Sequence, residues 1–213
     1  MPLYLHEHLE TGGELGLWNI EEEEEWFLHK LLLSPMELRQ LSRMKGRRRL
    51  EWLAVRQLVH TMSGREKRGA FIKDEFGKPH LEKSTYHISI SHSETLAAAI
   101  AGPVSVGIDI QKIVPKITRI AHKFLRDEER EIIAEHNLIK HMHLYWGAKE
   151  ALYKAYGRRE LDFRQHIFIE PFPLESSAGV MQGSVKKGDF FAKYKLSFRT
   201  IQDFVLVYAS ESS

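Results

Sequence analysis

The sequence predicts an α+β fold made of two similar α/β halves, residues 1–103 and 104–213, related by a pseudo-twofold axis with a cleft between them. Three observations carry this. A length of 213 residues suits one large domain or two halves of about 100. YHISISHSETLAAAIAG (86–102) lies over YKLSFRTIQDFVLVYAS (194–210) at an offset of 108, with Ser89 on Ser197 and Ala101 on Ala209. WLAVRQLVH (52–60) lies over WGAKEALYK (146–154) at an offset of 94, with Trp52, Ala54 and Leu58 on Trp146, Ala148 and Leu152. Each half therefore runs helices, a long helix and then an antiparallel hairpin. Arg56 falls on Glu150 in this register, and both are expected to face the cleft.

The elements follow in order. Short strands are expected over 2–8 and 14–19, then helices over 20–33, 35–44 and 46–63, the last stopped by Gly64. Glu21 to Glu25 read as a first helical turn capped by Asn19, where acidic side chains favour the helix dipole. FIKDEFGKPHL (71–81) reads as strand, turn and short strand around Gly77-Lys78-Pro79. YHISISHS (86–93) and ETLAAAIAG (94–102) pair, with Ser91-His92-Ser93 at the turn, and VGIDIQ (106–111) follows Gly102-Pro103. Helices are expected over 116–124, 126–135 and 137–157. The tail is strands: HIFIEPF, GVMQGSV, DFFAKYKLSFRT and DFVLVYAS.

Composition narrows the function class. At 43% hydrophobic and 28% charged residues the chain carries enough apolar mass for a core. No apolar run reaches the roughly 20 residues that span a bilayer, and MPLYLHEHLE has neither the basic nor the apolar region of a signal peptide. The absence of cysteine removes disulfides and thiol catalysis. A cytoplasmic protein with no membrane segment is expected. Net charge is only +2, yet Arg39, Arg43, Lys45, Arg47, Arg48 and Arg49 form a basic block that suits a solvated helix face, a nucleic-acid patch or a phosphate site. The near-neutral total and the want of interleaved aromatics beyond Trp52 disfavour nucleic acid.

The chemistry concentrates in two stretches. In GIDIQ (107–111), Asp109 stands between isoleucines in a strand, where Asp is generally disfavoured. In WGAKEALYK, Glu150 and Lys154 are four apart on one helix face, ordinarily an exposed pair of a few tenths of a kcal/mol. Here the same stripe carries Trp146 a turn earlier, which points to a part-buried face. Two separated carboxylates beside lysines and arginines match a Mg²⁺ ion held by carboxylates and substrate phosphates. Asp109 could equally be a strand-end acceptor of backbone hydrogen bonds. Ser91 and His92 suit either phosphate contact or ordinary hydroxyl turn chemistry. No G-x-S-x-G elbow or glycine-rich phosphate loop is present. His141 and His143 point to different helix faces, and His6 and His8 lack a third ligand, so no zinc site is expected.

Together VGIDIQ and, 41 positions from Asp109 to Glu150, WGAKEALYKAYG (146–157) resemble the 4′-phosphopantetheinyl transferase superfamily. Its members show G-[IV]-D on a strand followed at about this gap by W-x-x-K-E-[AS]-x-x-K. FGKP (76–79) and ISISHS (88–93) match, in order, the two-lobed monomeric type that activates siderophore- and surfactin-like synthetases. The resemblance implies Mg²⁺-dependent transfer of 4′-phosphopantetheine from coenzyme A to a serine of an apo acyl or peptidyl carrier protein, releasing 3′,5′-ADP.

Residue by residue, the resemblance implies that Asp109 and Glu150 bind Mg²⁺. Glu150 accepts the serine proton directly or through water, and Lys154 neutralises charge on the diphosphate. Lys78, Ser91 and His92 match coenzyme A phosphate contacts. Arg47 and Arg56 match binders of the 3′-phosphate, with Arg48 and Arg49 interchangeable with Arg47. Gln111 stands where the common pattern GIDIE has a third acidic ligand; it touches the metal through its oxygen, through water, or not at all. The segment 122–144 is expected to border the carrier-docking rim, with Phe124 and Leu125 as contacts. The alternative is a non-catalytic module binding coenzyme A or carrier, which the intact Asp, Glu and Lys disfavour.

Overall fold

The computed structural model describes residues 2–133 and 135–212. The first part of the chain forms β1 (Leu3–His8), β2 (Glu14–Asn19), α1 (Glu24–Leu31), α2 (Pro35–Ser42), α3 (Arg47–Ser63), β3 (Phe71–Lys73), β4 (Pro79–Leu81), β5 (His87–Ser93) and β6 (Leu96–Gly102). The second part forms β7 (Val106–Lys112), a 3₁₀ turn (Pro115–Arg119), α4 (Ala121–Phe124), α5 (Asp127–Ile132), a second 3₁₀ turn (Glu135–Asn137) and α6 (Leu138–Tyr156). It ends in β8 (Ile167–Ile169), β9 (Ala178–Lys187), β10 (Phe190–Ile201) and β11 (Phe204–Glu211). No helix among the described residues is long and apolar enough to cross a membrane.

Local chemistry accounts for most boundaries. Ser34 and Glu37 form a reciprocal capping box at α2, with Pro35 in its first turn. Gly64 ends α3 and Gly157 ends α6, both in left-handed conformation. Two expectations are corrected here. Asn19 does not cap α1: it closes β2, its amide donates to Glu21 Oε1 at 2.6 Å, and the helix starts at Glu24. The helix expected over 126–135 is the shorter α5, and Ala134 lies outside the described residues.

All strand pairs are antiparallel and form two sheets, ordered β1-β2-β6-β5-β4-β3 and β7-β11-β10-β9-β8. Apart from β1, the two orders repeat: the first strand of each part pairs with its last, and a long helix, α3 or α6, follows that first strand. This is the physical content of the sequence offsets, since β5 and β6 correspond to β10 and β11.

Three cores separate four layers. In β6, Ala97 and Ala99 face α3, while Leu96, Ala98 and Ile100 face the second sheet. In β11, Val205, Val207 and Ala209 face α6, while Phe204, Leu206 and Tyr208 meet the first sheet. Strands covered on both faces need apolar residues at every position, which is why LAAAIAG and FVLVYA do not alternate with polar ones. Phe124 and Leu125 belong to the α6 core and are 0% exposed, so they are not surface contacts for a partner. Their burial stabilises α4 against α6.

Candidate active site

Alternate residues of β7 face opposite ways. Val106, Ile108 and Ile110 enter the core between the sheets, leaving Gly107, Asp109 and Gln111 on the α6 side. A Cβ on Gly107 would lie 1.8 Å from the Ala151 carbonyl oxygen, so only glycine lets α6 come this close to the strand. A Cβ on Gly147 would meet the Gln111 amide at 3.1 Å. The G-x-D-x-Q strand and the G-x-x-E-x-x-x-K helix stripe thus interlock as two complementary ridges.

Asp109, 8% exposed, is the centre of this contact. Its Oδ1 accepts from Lys154 Nζ at 2.8 Å and from the Ser91 hydroxyl at 3.0 Å, and its Oδ2 accepts from Gln111 Nε2 at 3.0 Å. Lys154 also donates to the Ile108 carbonyl at 2.9 Å and to Ser91 Oγ at 3.1 Å. Glu150, one turn before Lys154, is part-buried and has no hydrogen-bond partner among the described residues. Burial, and then the charge of Asp109, push its carboxyl up to about 7, with Lys154 opposing.

Two hard-oxygen donors that repel one another and share a single ammonium suit a divalent cation. Mg²⁺ fits this set, because it takes one or two carboxylates and completes its shell with water and substrate phosphate. Among the described residues no group of three or more His, Cys, Asp or Glu is placed to hold a metal. Gln111 supplies no third oxygen: its Nε2 turns to Asp109 and to the His143 carbonyl at 3.3 Å, and its Oε1 lies 2.7 Å from His143 Nδ1. Both ends of the Gln111 amide are thus engaged by protein groups, Asp109 and His143.

Ser91 has a different role from the phosphate contact expected of it. β7 is an edge strand, and its outward N–H groups need partners. Ser89, Ser91 and Ser93 of β5 supply them, accepting from Ile108, Ile110 and Lys112 at 3.1, 3.2 and 3.3 Å. The serine alternation in ISISHS is therefore a seam that joins the two sheets and leaves Ser91 only 7% exposed. The expected hydroxyl-rich turn is instead the end of a strand. His92, on the opposite face, is exposed and lies 3.0 Å from Glu51 through Nδ1. Neighbouring protein desolvates the ring in part and lowers its pKa, with Lys154 and Arg48 adding to the effect and Glu51 opposing.

The basic helix divides its labour. Arg49 bonds Glu24 with two nitrogens and donates to the Leu41 carbonyl at 2.7 Å, tying α1 and the α2 end to α3. It is therefore not interchangeable with Arg47. Arg47 is exposed and donates Nε to the Glu94 carbonyl at 2.7 Å, and Arg48 is exposed near His92. Arg56 is 5% exposed, with its guanidinium 3.2 Å from the Trp52 ring centre and Nε 3.6 Å from Glu37. Burial pulls it down to about 9. Lys78 donates to the Ala155 carbonyl at 2.8 Å, bridging the GKP turn to the end of α6.

A cavity of about 690 Å³ lies between the two parts of the chain, lined by Arg56, Trp52, Phe71 and Lys78 on one side and Tyr153, Lys154 and Arg158 on the other. Asp109, Glu150, Lys154 and Ser91 are brought together, with His92 near; Arg56 and Lys78 line the cavity that leads to them. Two residues take roles that the sequence reading did not give them. His143 sits four before Gly147 on the same helix stripe, a spacing that could have flagged it. Lys149, fully buried, donates to Glu129, Phe124 O and Phe163 O at 2.8, 2.8 and 3.0 Å, so its ammonium anchors α6.

Residues 105–209 match the family model described as the 4′-phosphopantetheinyl transferase superfamily. Over 111 residues the chain is 28% identical to the 4′-phosphopantetheinyl transferase gsp of Aneurinibacillus migulanus, an alignment covering 51% of this chain and 46% of that protein. The aligned part thus spans about half the length of that curated relative.

Proposed function

We propose that this chain, which belongs to the 4′-phosphopantetheinyl transferase superfamily through residues 105–209, transfers 4′-phosphopantetheine from coenzyme A to a serine hydroxyl of an apo acyl or peptidyl carrier protein. The observation that carries this is Glu150: a carboxyl with no hydrogen-bond partner among the described residues, held near 7 by burial and by Asp109, one helical turn before Lys154, which pairs with Asp109 and lines a cavity rich in cations and aromatics. A base poised near neutrality is what removal of a serine proton requires.

In this reading residues 1–103 supply phosphate binding and residues 104–213 the carboxylates. Asp109 and Glu150 would hold Mg²⁺, which supplies charge neutralisation at the diphosphate. The serine oxygen forms a bond to the phosphorus bearing the pantetheine arm, and that phosphorus loses its bond to the oxygen of the departing 3′,5′-ADP. Glu150 takes the serine proton, directly or through water. Lys154 stands beside the same carboxylates and offsets charge gathering on the leaving oxygens, since phosphoryl transfer depends mainly on positioning and charge. Arg47, Arg48, Lys78 and His92 supply donors for the outer phosphates, and Arg56 presents its guanidinium to the cavity. Ser91 acts by orienting Asp109 and Lys154. A cytoplasmic monomer is the form this reading implies.

The test incubates the protein with coenzyme A, Mg²⁺ and a set of apo carriers and weighs each carrier. A gain of one phosphopantetheine that is abolished in Asp109→Ala and in Glu150→Gln, both still folded, is the expected result. Coenzyme A binding by calorimetry with no mass gain on any carrier would identify a binding module instead.

A further inference from the structure

We propose that His143 is a positioning residue that clamps the Gln111 amide, its N–H on Asp109 and its oxygen turned away from the cation site. The inference rests on the two-carboxylate reading of Asp109 and Glu150. It extends that reading to His143, which lies outside both motifs.

Two separate constraints lead to the same arrangement. The Asp109 carboxylate, when ionised, can only accept, so the group facing Oδ2 at 3.0 Å is the Gln111 NH₂. The amide oxygen is then the group 2.7 Å from His143 Nδ1, which must carry a proton. From the other side of the ring, the Val114 N–H can only donate, and it lies 2.9 Å from His143 Nε2. A neutral imidazole that accepts at Nε2 donates at Nδ1. The Val114 carbonyl lies 3.0 Å from the same Nε2 and would be engaged only by a ring protonated on both nitrogens. The His143 carbonyl takes the second amide hydrogen at 3.3 Å, so one residue holds both ends of Gln111. His143 is 2% exposed, which leaves the ring little freedom to leave.

The consequence concerns the cation. A free glutamine beside a bound divalent ion would rotate its amide to present oxygen, because the NH₂ end is repelled. His143 opposes that rotation. The cation then meets two protein carboxylates and no third protein oxygen, and Gln111 acts through Asp109 by fixing the direction of its carboxylate. Sites of this kind bind more weakly than those with a third ligand.

The test titrates the apo protein with Mn²⁺ alone by calorimetry, without coenzyme A or carrier. Wild type should bind weakly, and Asp109→Asn or Glu150→Gln should remove the binding. His143→Phe frees the amide to turn and should bind Mn²⁺ several-fold tighter, while His143→Asn keeps an N–H in reach and should return to the wild-type value. In a Gln111→Ala background, His143→Phe should have no effect, because the two residues act as one unit. Circular dichroism confirms that each variant folds. An unchanged affinity in folded His143→Phe, or an equal change in the Gln111→Ala background, would overturn the clamp.

Ring ¹⁵N shifts of His143 in metal-free protein give a second readout. A proton on Nδ1 supports the clamp, and a neutral ring protonated on Nε2 refutes it. If Mn²⁺ binding survives both carboxylate substitutions, the cation reading fails, while the ring tautomer still decides the clamp.

Discussion

Lys154 Nζ lies 2.8 Å from Asp109 Oδ1 and is held there by the Ser91 hydroxyl and the Ile108 carbonyl. In the resting chain this ammonium is the counter-charge for Asp109, so it competes with any cation for the same oxygen. Lys154→Met should therefore bind Mn²⁺ about tenfold tighter, yet lose about a hundredfold or more in transfer at saturating Mn²⁺ and coenzyme A. Calorimetry and carrier-mass kinetics separate the two effects. Weaker Mn²⁺ binding would mean that the lysine organises Asp109 instead of competing for it.

The Glu150 carboxyl at about 7 sets a pH window. Protons compete with the cation below that value, so Mn²⁺ affinity should rise up to tenfold per pH unit until about 7 and then level off. The stability effect has the opposite sign. The folded protein holds this proton more tightly than the unfolded chain, so ionisation disfavours folding. That cost is absent below the ordinary glutamate value of 4.5, grows as pH rises and is complete above 7, at up to about 3 kcal/mol. In metal-free protein, Glu150→Gln should raise the melting temperature at pH 8 and leave it unchanged at pH 4. An equal shift at both would assign the effect to packing.

Gly107→Ala places a methyl group against the Ala151 carbonyl and forces α6 away from β7. Overpacking of this kind costs about 1–3 kcal/mol, more where the obstacle is backbone. The expected outcome is a lower denaturation midpoint together with loss of transfer, because Asp109 and Glu150 sit on the two elements that separate. A folded variant with full activity would show that the close approach is dispensable.

Arg49 and Arg47 should separate stability from substrate binding. Arg49→Ala removes the Glu24 pair and the bond to the Leu41 carbonyl, lowering stability by about 1–2 kcal/mol with KM for coenzyme A unchanged. Arg47→Ala should raise that KM several-fold, and less so for 3′-dephospho-coenzyme A, with the melting temperature nearly unchanged. Reversed phenotypes would overturn the division of the basic helix.

The strands and long helices were legible because their signals are local. Gly64 and Gly157 stop helices, Ser34 and Glu37 form a reciprocal cap, and the offsets of 108 and 94 reflect two sheets with one strand order. Asn19 misled because capping residues also suit strand ends, and the chain used its amide for Glu21. Phe124 and Leu125 looked available to a partner because a short apolar pair carries no period to reveal which way it faces.

By itself the sequence singled out Asp109, Glu150 and Lys154 as candidates for one site, since an acid is disfavoured in a strand and the Glu–Lys pair shares its helix stripe with Trp146. It also determined that two parts of the chain share one order of elements. Which polar groups are free and which are consumed was decided only by tertiary structure. Arg49 and Lys149 bear the same functional groups as Arg47 and Lys154, yet their hydrogen bonds commit them to holding helices together. Gln111 was decided in the same way, because an amide shows a donor or an acceptor according to its neighbours. Its neighbours, Asp109 and the distant His143, meet only once α6 lies across β7.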